Sequence, residues 1–188
     1  MTLLPPQFLL RVSYPCRHVV KMPRPEADDL LDLPATCRLD NFAAMDGRKN
    51  FADVRLAWNA NGLGVQIEVS GKDQTPVGAS AKPRQSDGLS LWLDTRDARN
   101  NHRASRFCHQ FHFLPVAGGP DRDEPLFAQS KINRAQQDAP MTDPNSVLLR
   151  RHLKKSGYRL EAFLPVAAMN GFDPTEHPKL GVYYLVRD

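Results

Sequence analysis

The chain is organised by short stretches in which apolar and polar residues alternate, and each stretch ends near Gly, Pro, Asn or Asp. Alternation with a period of two predicts β-strands, because successive side chains of a strand point to opposite faces. Many short strands separated by turn residues are typical of an antiparallel β-sandwich. We therefore predict one all-β domain over residues 1–188, with about nine strands at Phe8–Tyr14, Thr36–Asn41, Val54–Asn59, Leu63–Gly71, Leu89–Thr95, Arg106–Leu114, Val147–Lys154, Tyr158–Pro165 and Leu180–Arg187.

The strongest local signal is a hairpin between the second and third apolar runs after residue 50. The four residues Asn59–Gly62 separate them, and asparagine and glycine tolerate the positive φ angles of tight hairpin turns. Helices are expected to be few and short. One is predicted within Glu124–Gln137, around the apolar residues Leu126, Phe127 and Ile132, and a second after Pro165.

Composition places the chain among ordinary globular proteins. It has 188 residues, of which 41% are hydrophobic, so it is long enough to bury a core in a single domain. The formal net charge is +4, and contact with a polyanion would need these charges concentrated on one surface. The most basic stretch, LRRHLKKSGYR around His152, is interpreted as a solvated hairpin. Nucleic acid is therefore not an expected partner.

The termini and cysteines suggest a location inside the cell. The first fifteen residues lack a basic region and are interrupted by Pro5 and Pro6, unlike a secretory signal. No apolar run approaches the roughly 18 residues that a membrane span needs. These features predict a cytoplasmic protein that does not contact a membrane. The cysteines, at positions 16, 37 and 108, are odd in number and widely spaced, which favours free and mostly buried thiols.

The segment Ser86–Phe113 is the most informative part of the chain for function. Within its first strand, leucines at positions 89, 91 and 93 share one face, while Ser90, Trp92 and Asp94 share the other. An indole therefore lies beside a carboxylate on a face expected to contact solvent. The loop that follows carries four arginines between Arg96 and Arg106. This combination is typical of a loop that contacts a ligand.

Sugars suit such a surface, because their C–H faces stack on aromatic rings while carboxylates and guanidinium groups bind their hydroxyls. The candidate ligand-binding residues are Trp92, Asp94, Arg96, Asp97, Asn100, His102, Arg103 and Arg106. A purely structural arginine and aspartate network is the alternative interpretation of the loop. Calcium is a further alternative that would use oxygens of Asp94, Asp97, Asn100 and Asn101, although the four arginines oppose it.

Other candidate chemistry is weaker. Trp58 shares a face with Val54 and Leu56, which predicts a packing role in the core. His109 and His112 lie three residues apart on a strand and so point to opposite faces, which argues against a shared metal ion. The sequence contains no recognisable motif for hydrolysis, nucleotide binding or zinc-dependent catalysis. We therefore expect a protein that is not an enzyme and has no catalytic residues.

Three stretches in this order carry a family resemblance: FADVRLAWNANGLGVQIEVSG, SDGLSLWLDTRD and GYRLEAFLPVAAMNGFDPTEHPKLGVYYLVRD. They resemble the family 9 carbohydrate-binding modules and the wider group of DOMON-like sandwiches. The resemblance covers the chain from about Phe51 to its end and implies a β-sandwich that binds an oligo- or polysaccharide. It also implies that Glu161 is a hydrogen-bonded structural carboxylate. The loop ARNNHRASRFCHQF is not a general feature of the family and looks like the elaboration of a subgroup.

Two alternative functions remain open at this level. Some DOMON-like sandwiches hold b-type haem, which would need axial ligands such as Met45, Met169 or His109. A protein-interaction or assembly module without a small ligand is the other alternative.

The end of the chain is the subject of a separate expectation. Members of the resembled family usually continue beyond the strand matching Leu180–Arg187, so the chain is expected to be a C-terminally truncated sandwich. This strand is then expected at the edge of a sheet or paired with another molecule.

Overall fold

The computed structural model describes residues 12–188, which form two β-sheets. The class predicted from the alternating pattern, an all-β antiparallel sandwich, is confirmed. Five single turns of 3-10 helix and no α-helix occur within this range. The strands are β1 (Arg17–His18), β2 (Ala52–Asn59), β3 (Gly62–Ser70), β4 (Gly88–Asp94), β5 (Cys108–Gly118), β6 (Glu124–Ser130), β7 (Leu148–Lys154), β8 (Gly157–Pro165) and β9 (Gly181–Arg187).

The five-stranded sheet has the order β1-β2-β3-β8-β7, and the four-stranded sheet has the order β6-β5-β4-β9. Neighbouring strands are antiparallel except for the short parallel pair β1 and β2. Across the interface, β5 contacts β8 and β6 contacts β7. The opposite margin of the sandwich therefore carries β9 in one sheet and β1 and β2 in the other.

The core lies between the inner faces of the two sheets. Leu89, Leu91 and Leu93 all point inward and are at most 2% exposed, as the alternation in β4 predicts. They pack with side chains from every central strand, including Phe111 and Ile67. Each such side chain contributes roughly 1.5–3 kcal/mol to folding by leaving water. This rigid interior fixes which residues of the same strands face outward.

Trp58 lies at the end of β2 and packs against this core while remaining partly exposed. It faces the same way as Val54 and Leu56, so its predicted packing role is confirmed. The indole Nε1 donates a hydrogen bond to the carbonyl of Cys16 at 3.1 Å. This hydrogen bond and the contact of the ring with His18, at 4.7 Å between centroids, hold the indole at the margin of the sandwich.

The predicted hairpin between β2 and β3 is confirmed. Ala60 and Asn61 form the turn, and the Asn59 side-chain oxygen accepts a hydrogen bond from the Asn61 backbone at 2.9 Å. At Gly62, with φ of 154°, an added Cβ would lie 2.1 Å from the carbonyl oxygen of Leu164. Only glycine fits at this position, because β8 pairs with β3 directly beside it.

Three predicted elements need correction or lie outside the described part. Thr36–Asn41 is not a strand: a 3-10 turn at Ala35–Cys37 is followed by a single β-bridge between Arg38 and Arg55. Cys37 is buried in a cluster with Leu30, Leu31 and Leu33 of the preceding loop, so this stretch packs with the loop. The helix predicted within Glu124–Gln137 is wrong, because Glu124–Ser130 is strand β6. Of the first predicted strand, residues 8–11 lie outside the described range, and residues 12–14 are not in a strand.

Strand β9 pairs with β4 and forms the edge of its sheet within residues 12–188, which confirms the expected edge position. The short turn expected after Pro165 is also present as Val166–Ala168. The three cysteines are free, but only Cys37 is buried, so the expectation of mostly buried thiols is wrong. No helix between residues 12 and 188 is long and apolar enough to cross a membrane.

A loop from Met22 to Cys37, which we call the cover segment, lies against the outer face of the five-stranded sheet. Five of its side chains are almost fully buried and pack on Ala57 and Phe163, which project outward from the sheet. The buried residues of the cover segment are Met22, Leu30, Leu31, Leu33 and Cys37. This sheet is thus covered on both faces at its centre.

Candidate functional site

The outer face of the four-stranded sheet is exposed along β9 and partly exposed at Trp92 on β4. Trp92 and Tyr183 are cross-strand partners there, with ring centroids 5.3 Å apart and planes inclined by 53°. The guanidinium carbon of Arg84 lies 5.9 Å from the Trp92 ring centroid, within range of a cation–π interaction. Tyr183 is 50% exposed and its neighbour Leu185 is 40% exposed. We call Trp92, Tyr183 and Arg84 the aromatic platform.

A buried polar row lies next to the aromatic platform on the same outward side. The imidazole of His112 is 2.8 Å from the Ser90 hydroxyl through Nδ1 and 3.0 Å from the Ser130 hydroxyl through Nε2. Gln110 lies beside it, with its Nε2 3.3 Å from the same imidazole Nε2. Burial, assisted by the positive charge of Arg84, lowers the pKa of His112 to about 4. The ring is therefore neutral near pH 7 and ties three strands together.

Asp94 organises the start of the arginine-rich loop. Its Oδ1 accepts a hydrogen bond from the Arg96 backbone at 2.9 Å, and its Oδ2 accepts one from the Ala98 backbone at 2.8 Å. The idea that this carboxylate pairs with arginine side chains is wrong for Asp94, because backbone amides take both oxygens. Only the exposed pair of Asp97 and Arg99, at 2.8 Å, fits the proposed arginine and aspartate network.

We expect Asp94→Ala to lower the free energy of unfolding by about 1–2 kcal/mol, because two amides lose their acceptor. Asp94→Asn should lose less, since one amide oxygen remains. Chemical denaturation of both variants would measure this. Asp97→Asn is the matched control: asparagine tolerates the positive φ of 45° at this position, and the carboxylate it replaces pairs with an exposed arginine and should contribute little. Equal stability of Asp94→Ala and the unmodified protein would contradict the capping role.

The remaining loop arginines are held by rings and carbonyls. The guanidinium groups of Arg96 and Arg106 lie 4.7 Å and 5.0 Å from the Phe107 ring centroid. Arg103 donates through Nε to the carbonyl of Arg134 at 2.9 Å. Asn100 and His102 are exposed in the same loop. These contacts hold the side chains of Arg96, Arg103 and Arg106 within the loop.

His109 points inward, away from His112, as the offset of three on a strand predicts. Its ring stacks on Phe111 with centroids 5.2 Å apart, and burial lowers its pKa. Neither ring nitrogen has a hydrogen bond of normal geometry, although the Asn170 backbone lies close to it. The position is a core position of the sandwich.

The inner faces do not fit the haem alternative. The space lined by Val65, Ile67, Leu89, Phe113, Leu160 and Ala162 has no room for a water molecule, whereas a haem needs a cavity of several hundred Å³. Met45, one of the three candidate axial ligands, is exposed and outside the sheets. The side chains that line this space therefore pack as core, and the space does not accommodate a haem.

Two residues of the aromatic platform were missed by sequence reasoning. Tyr183 reaches Trp92 only because β9 pairs with β4, and no local pattern predicts which strands are neighbours. Arg84 belongs to the connection before β4, in a 3-10 turn at Pro83–Gln85 that packs against β5. The only available signal was the position of this basic residue shortly before the tryptophan strand.

Comparison with known proteins gives a likeness of fold. No protein-family model and no curated protein matches the chain. Among solved structures, a family 9 carbohydrate binding module from Caldicellulosiruptor kristjanssonii in complex with cellotriose aligns at 18% identity with a TM-score of 0.47, over 71% of this chain and 55% of that chain. The same module in complex with glucose aligns at 18% identity with a TM-score of 0.49, over 73% and 59%. The chain therefore spans less than two thirds of those modules.

Proposed function

We propose that this chain is a non-catalytic carbohydrate-binding module that holds an oligo- or polysaccharide against the aromatic platform. The observation that carries the proposal is the pair of Trp92 and Tyr183 on an open sheet face, with a guanidinium group beside the indole. Large aromatic side chains are normally buried, and two of them adjacent on an outer face are typical of a binding surface.

Each part of the aromatic platform suits one part of a sugar. The indole of Trp92 would stack on the apolar C–H face of a pyranose ring. The guanidinium of Arg84 has five N–H donors, and no carboxylate pairs with it among the ion pairs of residues 12–188. It would donate to hydroxyl groups or to the carboxylate of an acidic sugar.

The arginine-rich loop would form the rim of this site. Asp94 lies two residues from Trp92 on the same face, so the loop begins about 7 Å along the strand from the indole. In our proposal the exposed side chains of Asn100, His102 and Arg103 contact the sugar. Arg96 and Arg106, which stack on Phe107, and Asp97, which pairs with Arg99, would instead fix the shape of the loop.

We expect Trp92→Ala to weaken carbohydrate binding by about 1–3 kcal/mol, because the stacking surface is lost while the core is untouched. Calorimetric titration with neutral and uronate-bearing oligosaccharides, cello-oligosaccharides among them, would measure this. Leu153→Ala is the matched control, since Leu153 is 56% exposed on the other sheet. Its affinity should equal that of the unmodified protein.

Two results would contradict the proposal. Unchanged affinity of Trp92→Ala for a bound oligosaccharide would place the sugar elsewhere on the molecule. A folded protein that binds no member of a broad glycan array would instead favour the protein-interaction alternative for the same exposed surface.

A further inference from the structure

Three metal-ligating side chains converge on the other sheet, away from the aromatic platform. His152 on β7, Glu161 on β8 and Asp29 in the cover segment each present one ligand atom, and these atoms lie within 4.8 Å of one another. It is the one such group among the described residues. Neither the sequence pattern nor the proposed function uses all three.

The distances from the imidazole nitrogen are close to the edges of a zinc coordination shell. His152 Nε2 lies 3.5 Å from Glu161 Oε2 and 3.8 Å from Asp29 Oδ1. Ligands at about 2.0–2.2 Å around a tetrahedral zinc ion are separated by roughly 3.3–3.6 Å. A side-chain adjustment of a few tenths of an ångström at Asp29 would bring its Oδ1 into the same range from the imidazole.

The imidazole nitrogen Nε2 of His152 lies within ion-pair distance of two carboxylates but has no hydrogen-bond partner. His152 Nε2 is buried and makes no hydrogen bond, although it faces two carboxylates. A buried polar atom without a partner costs free energy, and a metal ion is one way to satisfy it. One nitrogen with two carboxylate oxygens is a ligand set that zinc accepts, with the fourth position left for water.

The surrounding contacts hold the ligands in place. Glu161 is fully buried and accepts a hydrogen bond from the Leu30 backbone at 2.9 Å, while Arg159 donates to Asp29 Oδ1 at 2.8 Å. The guanidinium of Arg150 binds the carbonyls of Pro25, Ala27 and Asp28, which fixes the loop that carries Asp29. Partners of this kind orient the ligands of metal sites and raise affinity.

We propose that His152, Glu161 and Asp29 form a zinc site that clamps the cover segment to the five-stranded sheet. Two ligands come from the sheet and one from the cover segment, so the ion would crosslink the two. The carboxylates of Glu161 and Asp29 would offset the charge of the ion, while Arg150 contacts backbone carbonyls and neither carboxylate. Calcium is the poorer candidate, because it prefers six to eight oxygen ligands.

The test is titration of the full chain with zinc ion after removal of bound metals by a chelator. We expect calorimetry to give one zinc ion per chain and the melting temperature to rise with zinc concentration, since a ligand of the folded state stabilises it. Cobalt ion in place of zinc should give the visible absorption of a tetrahedral site. Calcium should give neither effect.

Variants assign the ion to these residues. His152→Ala and Asp29→Asn are each expected to weaken zinc binding at least tenfold. In Asp29→Asn the hydrogen bonds from the cover segment to Glu161 remain, so this variant should stay folded even if another variant does not. His177→Ala, at a histidine outside the cluster, should bind zinc like the unmodified protein.

Two outcomes would overturn the proposal. The first is a folded unmodified chain that shows neither heat of binding nor a shift in melting temperature with zinc in large excess. The second is zinc binding by His152→Ala as tight as that of the unmodified protein. Both are independent of carbohydrate binding, because the aromatic platform lies on the outer face of the other sheet.

Discussion

Replacing Glu161 by alanine is expected to lower the free energy of unfolding by about 3 kcal/mol in the presence of a chelator. The Glu161 carboxylate is fully buried and accepts hydrogen bonds from the backbone amides of Leu30 at 2.9 Å and Leu31 at 3.4 Å. Each buried amide that loses its acceptor costs about 1–3 kcal/mol. The loss of stability should exceed this cost, because the two amides belong to the cover segment. Without this anchor, the buried side chains of Leu30 and Leu31 would also lose packing against the sheet.

Urea denaturation monitored by tryptophan fluorescence would measure this effect. Glu161→Gln should lose less stability than Glu161→Ala, because the amide oxygen can still accept one hydrogen bond. Glu68→Ala is the matched control: Glu68 lies on the same outer face, is partly exposed and pairs with Lys154, so little change is expected. A Glu161→Ala protein as stable as the Glu68→Ala protein would show that the cover segment needs no such anchor.

Stability is also expected to fall by up to about 3 kcal/mol as the pH is lowered from about 6.5 to about 4. His112 is fully buried, and its pKa is lowered from 6.5 to about 4 in the folded state. Between these values the unfolded chain binds a proton that the folded chain does not, so the folded state is favoured above pH 6.5 and loses this advantage as the pH falls. The buried His109, whose pKa is also lowered, adds a contribution of the same sign.

Unfolding free energies measured at several pH values would give the slope. His112→Gln removes the titrating group and should flatten the slope between pH 6.5 and 4, leaving the part due to His109. His102→Gln, at an exposed position, should leave the slope of the unmodified protein intact. If stability depends on pH equally in the unmodified protein and in His112→Gln, then folding does not lower the pKa of His112 and the prediction is wrong.

Local sequence pattern predicted most strands, because alternation reports directly which residues are buried. It failed where the context was not local. Phe127 has apolar neighbours at helical spacing, yet it packs in a strand with Phe111 and Phe113, because β5 offers an edge for pairing. Thr36–Asn41 has the alternation of a strand but no continuous partner beyond the single bridge at Arg38.

The candidate site was predicted in part for the same reason. The alternation in β4 predicts that Trp92 points outward. The composition of the loop after Asp94 predicts that this loop contacts a ligand. The contacts of individual polar residues could not be predicted from the sequence. Asp94 accepts hydrogen bonds from backbone amides and Arg96 stacks on the Phe107 ring, and both contacts depend on the geometry of the turn. Tyr183 is 91 residues from Trp92 in sequence, and the two side chains meet only because β9 pairs with β4.

The cover segment also gives the sandwich two unequal sides. One sheet has its centre covered by Leu30 and Leu31, whereas the other leaves Trp92 and Tyr183 accessible. A polymer held by the aromatic platform could be held on that side alone, so each chain would be monovalent. A monovalent contact of modest affinity dissociates readily, and durable attachment to a polymer would come from several such domains acting together, through the effective concentration that a covalent or oligomeric link provides.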